Sequence, residues 1–194
     1  HLKIINLKSL SMNKALIIVD MFEHAETRPQ NWTHKQAASL FPFLKYVCKE
    51  ERKKGTTIIL SYAPGHKPKR ELNWDDYDII CELDELPEMV EYKKIDVTYF
   101  GGFHWGHCVL QHAFRLDSII NGTNPHWNYL AGHINWDDVK REREVKVDCL
   151  NFVLNLTIPL PHESPKGWEQ VFSMMKEYDK KYYLWSDKNG FEEL

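Results

Sequence analysis

Residues 95–120 read IDVTYFGGFHWGHCVLQHAFRLDSII, and the order of residue types along this stretch decides the fold. An apolar run (Val97, Tyr99, Phe100) ends in Gly101-Gly102. A cysteine, Cys108, then heads a segment whose Val109, Leu110, Ala113, Phe114, Leu116 and Ile120 recur at helical spacing. The pattern predicts a strand, a tight turn and a helix, with a thiol at the turn. A thiol at a helix N-terminus lies beside unpaired backbone N–H groups and the positive end of the helix dipole, both of which favour the thiolate. The competing reading of Cys108 is a buried structural thiol, the commoner fate of a free cysteine.

Working outward, residues 14–20, KALIIVD, form a continuous apolar run closed by an acid. That is the pattern of a strand buried on both faces of a parallel sheet, with Asp20 at its carboxyl tip. Open α/β sheets place their sites outside the carboxyl ends of the strands, near the point where strand order reverses, so Asp20 and Cys108 are expected in one crevice. An acid beside a thiol is a base beside a nucleophile.

These two stretches, ALIIVDMF and GGFHWGHCVLQHAFRLDSI, resemble the isochorismatase-like cysteine hydrolase superfamily, which includes the nicotinamidases. The family pattern is an Asp ending the first strand and Gly-x-x-x-x-x-Cys-Val opening a helix; here Asp20, Gly102 and Cys108-Val109 match it. The resemblance implies hydrolysis of an amide or similar small carbonyl substrate through a thioester on Cys108, with Asp20 as general base. It also implies a homo-oligomer, dimer or tetramer. An oxyanion would be held by backbone N–H groups of the turn before Cys108, with Phe103, His104, Phe22, Trp105 and His107 around the substrate. The family also carries a Lys at the end of its third strand, and here Cys81 and Glu82 stand in that context. Lys67, Lys69 or Arg70 from the preceding loop would have to supply the cation, and Lys69 is the one put forward. Nicotinamidases add a metal near the second strand; SYAPGH offers His66 without a matching Asp, so neither a metal nor another cofactor is expected.

The totals bound the alternatives. With 194 residues and 43% hydrophobic content, one domain over residues 12–194 behind a short lead-in, 1–11, is the simplest organisation. The lead-in is too short and too charged for a secretion signal. The net charge of −3, with mixed-sign clusters, leaves no footprint for nucleic acid, and no apolar run is long enough for a membrane span. Four cysteines without CxxC spacing suit reduced thiols in a cytoplasm. The first strand lacks a following Gly-x-Gly-x-x-Gly, which argues against a nucleotide-binding site.

The remaining segments alternate. A helix is expected from Pro42 with a stripe of Phe43, Leu44, Val47 and Cys48, after a loop over residues 21–32 in which His24 is an ordinary loop residue as readily as a pocket wall. Strands are expected over 56–62, 77–83, 149–158 and 182–185, with helices around Leu86–Val90 and Gly167–Lys180. The fold class is thus a three-layer α/β/α sandwich with a mostly parallel, Rossmann-like central sheet of about six strands. Residues 121–138, rich in Trp, His and Asn, read as a surface excursion more than a substrate wall. A different class of function, a binding or scaffold protein that keeps the fold without turnover, is motivated by the missing Lys and by bulky Trp105 and His107 near the thiol.

Overall fold

The computed structural model describes residues 12–21, 32–63, 76–105, 108–122, 146–159 and 180–194. In chain order these form β1 (Lys14–Val19), α1 (Trp32–Lys53), β2 (Thr57–Tyr62), β3 (Ile79–Glu82), α2 (Leu86–Tyr92), β4 (Val97–Trp105), α3 (Cys108–Asn121), β5 (Asp148–Pro159), β6 (Lys181–Ser186) and β7 (Gly190–Glu193). The strands make one sheet in the order β3-β2-β1-β4-β5-β6-β7. Every pairing is parallel except the last, β6 with β7.

Alternation along β1 explains its unbroken apolar run. Ala15, Ile17 and Val19 face one core with Val109, Leu110, Ala113 and Phe114 of α3, whereas Leu16 and Ile18 face a second core with Phe41, Leu44, Val47 and Cys48 of α1. All of these are buried. Strands with two buried faces need helices on both sides of the sheet, and α1 covers one face while α2 and α3 cover the other. The three-layer architecture expected from the sequence is the one found.

Several local expectations need correction. The helix does not begin at Pro42: α1 runs from Trp32, with Pro42 inside it. An interior proline removes a backbone hydrogen bond and costs about 3 kcal/mol, a cost the sequence reading avoided by placing Pro42 in the first turn. Burial of Phe41, Leu44, Val47 and Cys48 outweighs it, so the stripe begins at Phe41, and Phe43 turns outward with its ring edge-on to Trp185, 5.9 Å between centroids. Met21, expected in a loop, is buried in the same core. The seventh strand, β7, was not foreseen; it closes a hairpin in which Ser186 pairs with Gly190. Asn189-Gly190 is the hairpin signal there, and Gly190 adopts φ +71°. The helix expected around 167–180 lies outside the described residues.

Candidate functional site

Strand order reverses at β1: β2 and β3 lie on one side of it, β4 and its successors on the other. The crevice at such a switch point opens between the carboxyl ends of β1 and β4. Asp20 is the residue immediately after β1. It is half-buried and holds a left-handed backbone, φ 54°, which Asp tolerates better than most residues. Two bonds to β2 fix it there: its backbone N–H donates to the Ser61 carbonyl at 2.9 Å, and its Oδ1 accepts the Ala63 N–H at 3.1 Å.

On the other side of the switch point, β4 departs from expectation. The Gly101-Gly102 pair does not end the strand; β4 continues through Trp105, with Phe103 paired to Ile158 and Trp105 to Pro159 of β5. Both glycines mark close backbone approach. A Cβ on Gly102, where φ is +111°, would lie 2.4 Å from the Val19 carbonyl oxygen, and one on Gly101 would lie 2.9 Å from the Leu156 carbonyl oxygen. Gly102 is in register with Val19, so β4 is pressed against β1 one residue before Asp20. Gly101 faces the bulge by which β5 passes from Phe152, opposite Phe100, to Thr157, opposite Gly102. Thr157 stabilises that bulge by donating its hydroxyl to the Val153 carbonyl at 2.8 Å. Bulges of this kind re-aim the end of a strand next to a site.

Cys108 is the first residue of α3, half-buried against the apolar core on that face. One turn on, His112 is fully buried, and its Nδ1 lies 2.7 Å from the Cys108 carbonyl oxygen. A carbonyl oxygen only accepts, so Nδ1 carries the proton. Nε2 has no hydrogen-bond partner among the described residues. Burial pushes the imidazole below its ordinary value, while the Asp20 carboxylate and the Cys108 and Tyr62 carbonyls pull it up and Arg115 pushes it down. Ser61, fully buried on β2, also leaves its hydroxyl oxygen without a partner among the described residues.

His112 was not singled out from the sequence, where only the apolar positions of this helix carried a signal. Its position four residues after Cys108 was the available signal, since that spacing lets a side chain reach back to the preceding turn's carbonyl. Arg115 was also missed. It reaches from α3 to Asp84, just past β3, and burial pushes its guanidinium down while Asp84 holds it up. The end of β3 is otherwise acidic, with Glu82, Asp84 and Glu85.

Of the other expected residues, Phe103 is half-buried and packs on the α1 side of the sheet. His104 and Trp105 lie within β4, so the stretch expected to turn before Cys108 is strand as far as Trp105. Phe22, His24, His66, Lys67, Lys69, Arg70, His107 and residues 123–138 fall outside the described residues. The other cysteines differ from Cys108. Cys48, Cys81 and Cys149 are buried. Burial pushes the Cys81 thiol up to about 12 and raises that of Cys48 further.

No protein-family model matches the chain, and no curated protein sequence matches it. Solved structures do. The pyrazinamidase of Pyrococcus horikoshii, crystallised in complex with zinc, superposes with a TM-score of 0.56 at 13% identity, over 89% of this chain and 99% of that one. A putative isochorismatase from Burkholderia xenovorans gives 0.54 at 12% identity over 88% and 83% of the two chains. A nicotinamidase/pyrazinamidase from Acinetobacter baumanii gives 0.51 at 12% identity over 87% and 94%. At these identities the likeness is one of fold: the chain has the isochorismatase-like fold. Among the described residues no group of three or more His, Cys, Asp or Glu side chains is placed to hold a metal ion, so those residues do not fit a zinc site. No helix of the described residues is long and apolar enough to cross a membrane.

Proposed function

We propose that this chain is a cysteine-dependent hydrolase of a small amide or related carbonyl substrate, with Cys108 as nucleophile and Asp20 as general base. What supports the reading is that Asp20 directly follows β1 and Cys108 heads the helix after β4, the two strands at the switch point, with Gly102 of β4 pressed against Val19 of β1. Asp20 takes the proton from Cys108 Sγ, and the thiolate attacks the substrate carbonyl carbon to give a tetrahedral oxyanion. Collapse breaks the bond to nitrogen, Asp20 returns the proton to the leaving amine, and a thioester remains. Asp20 then takes a proton from water, the hydroxide adds to the thioester carbon, and Cys108 leaves as the product acid forms. Each backbone N–H directed at the oxyanion is worth about 3 kcal/mol.

A second reading, the same fold kept as a binding protein without turnover, is favoured by the acidic end of β3, where the resembling family has its Lys. One experiment separates them. Limiting iodoacetamide followed by peptide mapping is expected to label Cys108 first, because the other three thiols are buried. A panel of small aromatic and aliphatic amides, assayed with wild type and Cys108→Ala, is expected to show turnover in the first only. Preferential labelling elsewhere removes the nucleophile assignment, and a reactive Cys108 without turnover on any amide favours the binding protein.

A further inference from the structure

Arg115 has no part in the mechanism above, yet among the described residues it is the one buried Lys or Arg. A charge taken out of water is costly unless it is paired, and long cationic side chains are seldom buried without a partner. The partner is Asp84, whose Oδ1 lies 2.5 Å from Arg115 Nη2, but the two ends of the pair differ in exposure: the Arg115 side chain is 7% exposed and that of Asp84 52%. Water therefore screens the carboxylate more than the guanidinium, and the interior feels a net positive field. The fold puts that field at the carboxyl edge of the sheet. Helix α3 begins there, after β4, and runs back to the amino edge, where Asn121 bonds the backbone N–H and C=O of Val147 just before β5. Asp84 lies two residues beyond the end of β3, at the carboxyl edge of the same parallel array. Arg115 stands seven residues after Cys108, just under two helical turns, so the two share a face of α3 with their Cα atoms about 10 Å apart along the axis. Long side chains on a helix lean toward its N-terminus, and the bond to Asp84 draws this one the same way, carrying the charge from the middle of α3 toward its head.

We propose that Arg115 supplies the positive charge of the site: held at the carboxyl edge by Asp84, its guanidinium favours the thiolate of Cys108 and so assists transfer of the thiol proton to Asp20. The inference rests on the hydrolase reading. Arg115 acts on the sulfur through the low-dielectric interior and not by contact, since a cation near a thiol favours its charged form. The elements packed on α3 are β1, β4, β5 and α2. Among their titratable groups, Asp20 follows β1, Asp148 and Cys149 open β5, and Glu88, Glu91 and Tyr92 lie on α2; β4 contains Tyr99, on the α1 side of the sheet, and His104. Asp148 is paired with Lys181 at 2.9 Å. On α3 itself, His112 bonds the Cys108 carbonyl and Asp117 accepts from Asn121. The acids oppose ionisation of the thiol. The cations these elements carry are Arg115 and Lys14, and Lys14 is exposed at the amino end of β1.

Alkylation of Cys108 in the full chain by limiting iodoacetamide across pH, followed by peptide mapping, tests this without a substrate. Wild type is expected to ionise Cys108 below the ordinary thiol value of about 8.5. Arg115→Met, which keeps most of the bulk and removes the charge, is expected to raise that midpoint by about one pH unit, and Arg115→Gln by a similar amount. Asp84 is half exposed and returns to water in either variant, so the fold is expected to survive, as read by circular dichroism. Arg115→Lys restores the charge and is expected to recover most of the shift, which a mere loss of packing would not allow. On an amide found to turn over, the acid limb of kcat/KM is expected to move with the thiol midpoint. A wild-type midpoint at or above the ordinary value, a midpoint unmoved in a folded Arg115→Met or Arg115→Gln protein, or one raised as far in Arg115→Lys overturns the proposal and leaves the hydrolase reading standing. A midpoint that moves as expected without turnover on any amide supports the charge and overturns the hydrolase reading instead.

Discussion

Glu51 and His112 are both buried titratable side chains, one on each face of the same sheet, and the protein treats them in opposite ways. Glu51, on α1, is saturated. Its Oε1 accepts Trp185 Nε1–H at 2.8 Å and Lys54 Nζ–H at 3.0 Å, and its Oε2 accepts the Thr56 hydroxyl at 2.9 Å. Lys54 also lies over the Trp185 ring, 5.4 Å from its centroid. The cluster ties α1 to β6 and to the start of β2. His112, on α3, keeps Nε2 without a hydrogen-bond partner among the described residues, and the Ser61 hydroxyl on β2 is without one as well. Buried polar groups that hold a fold together are satisfied, because each unmade bond costs about 1–3 kcal/mol. Unsatisfied atoms are not confined to one edge of the sheet, since Asn151 Oδ1 near the start of β5 is another, but His112 and Ser61 are the ones beside the proposed site. The contrast separates a saturated structural cluster from the edge of the sheet where the proposed chemistry would take place.

The strongest way to break that contrast is to delete its two ends. Cys108→Ala and Asp20→Asn are each expected to cut hydrolysis by about 10⁴-fold, with the double variant no worse than either single, because residues acting as one unit fail together. Their urea midpoints are expected to stay near wild type. Glu51→Ala is expected to do the reverse: it strands Trp185 Nε1 and the Thr56 hydroxyl and lowers stability by about 4 kcal/mol, while the alkylation rate of Cys108 in the folded protein is unchanged. Paired denaturation and alkylation measurements on the three variants decide it. A Cys108→Ala protein that loses stability as much as Glu51→Ala would erase the distinction.

Two glycines sharpen the same comparison, since each borders one region. Gly102→Ala brings a Cβ to 2.4 Å from the Val19 carbonyl oxygen and 2.6 Å from its nitrogen, both backbone atoms that cannot move aside. It is expected to cost about 3 kcal/mol and to separate β1 from β4, so activity falls with stability. Gly190→Ala meets Glu51 Oε1 at 3.5 Å and Lys54 Nζ at 3.8 Å, ordinary contacts, and its left-handed φ of +71° costs about 1 kcal/mol. Thermal melts and turnover of both variants check the expectation. A Gly190→Ala protein that lost activity would connect the two regions.

How much of this was legible in the residues depends on whether the signal was local. The order of strands and helices was readable, because an apolar run such as LIIV in β1 has few other uses, and the Gly-to-Cys spacing located the thiol. Asp20 was readable as the acid that closes such a run. The length of β4 was not: Gly101 and Gly102 look like a turn, and only the neighbouring backbones of Val19 and Leu156 show that they are strand residues made small by contact. The start of α1 was hidden by Pro42, whose local cost is outweighed by burial of Phe41 and Leu44 against strands distant in sequence. His112 was hidden for the converse reason. Its helical position was plain, but groups that act on it, Asp20 and the Tyr62 carbonyl, belong to β1 and β2, far from it in sequence.

The smallest expected effect is thermodynamic and concerns the unpaired nitrogen. Burial lowers the folded-state pKa of His112 below the value of about 6.5 that it regains on unfolding. A base whose folded pKa is depressed is kept neutral by the fold, so its neutral form contributes fully above about pH 6.5, where neither state binds the proton. As pH falls below that value the unfolded chain takes up the proton first, and stability declines until the folded protein is protonated too. The buried thiols act on the alkaline side with the opposite sign. Cys81, pushed up to about 12 in the fold, ionises first in the unfolded chain, so stability falls as pH rises above about 8.5. His112→Asn is therefore expected to flatten the acid limb of a urea-midpoint profile and leave the alkaline limb in place. Glu51→Ala, by contrast, is expected to lower the whole profile near neutral pH without moving the acid inflection of His112. Should the acid limb persist unchanged in His112→Asn, the imidazole is as well accommodated charged as neutral, and the open nitrogen at the carboxyl edge carries no energetic signature.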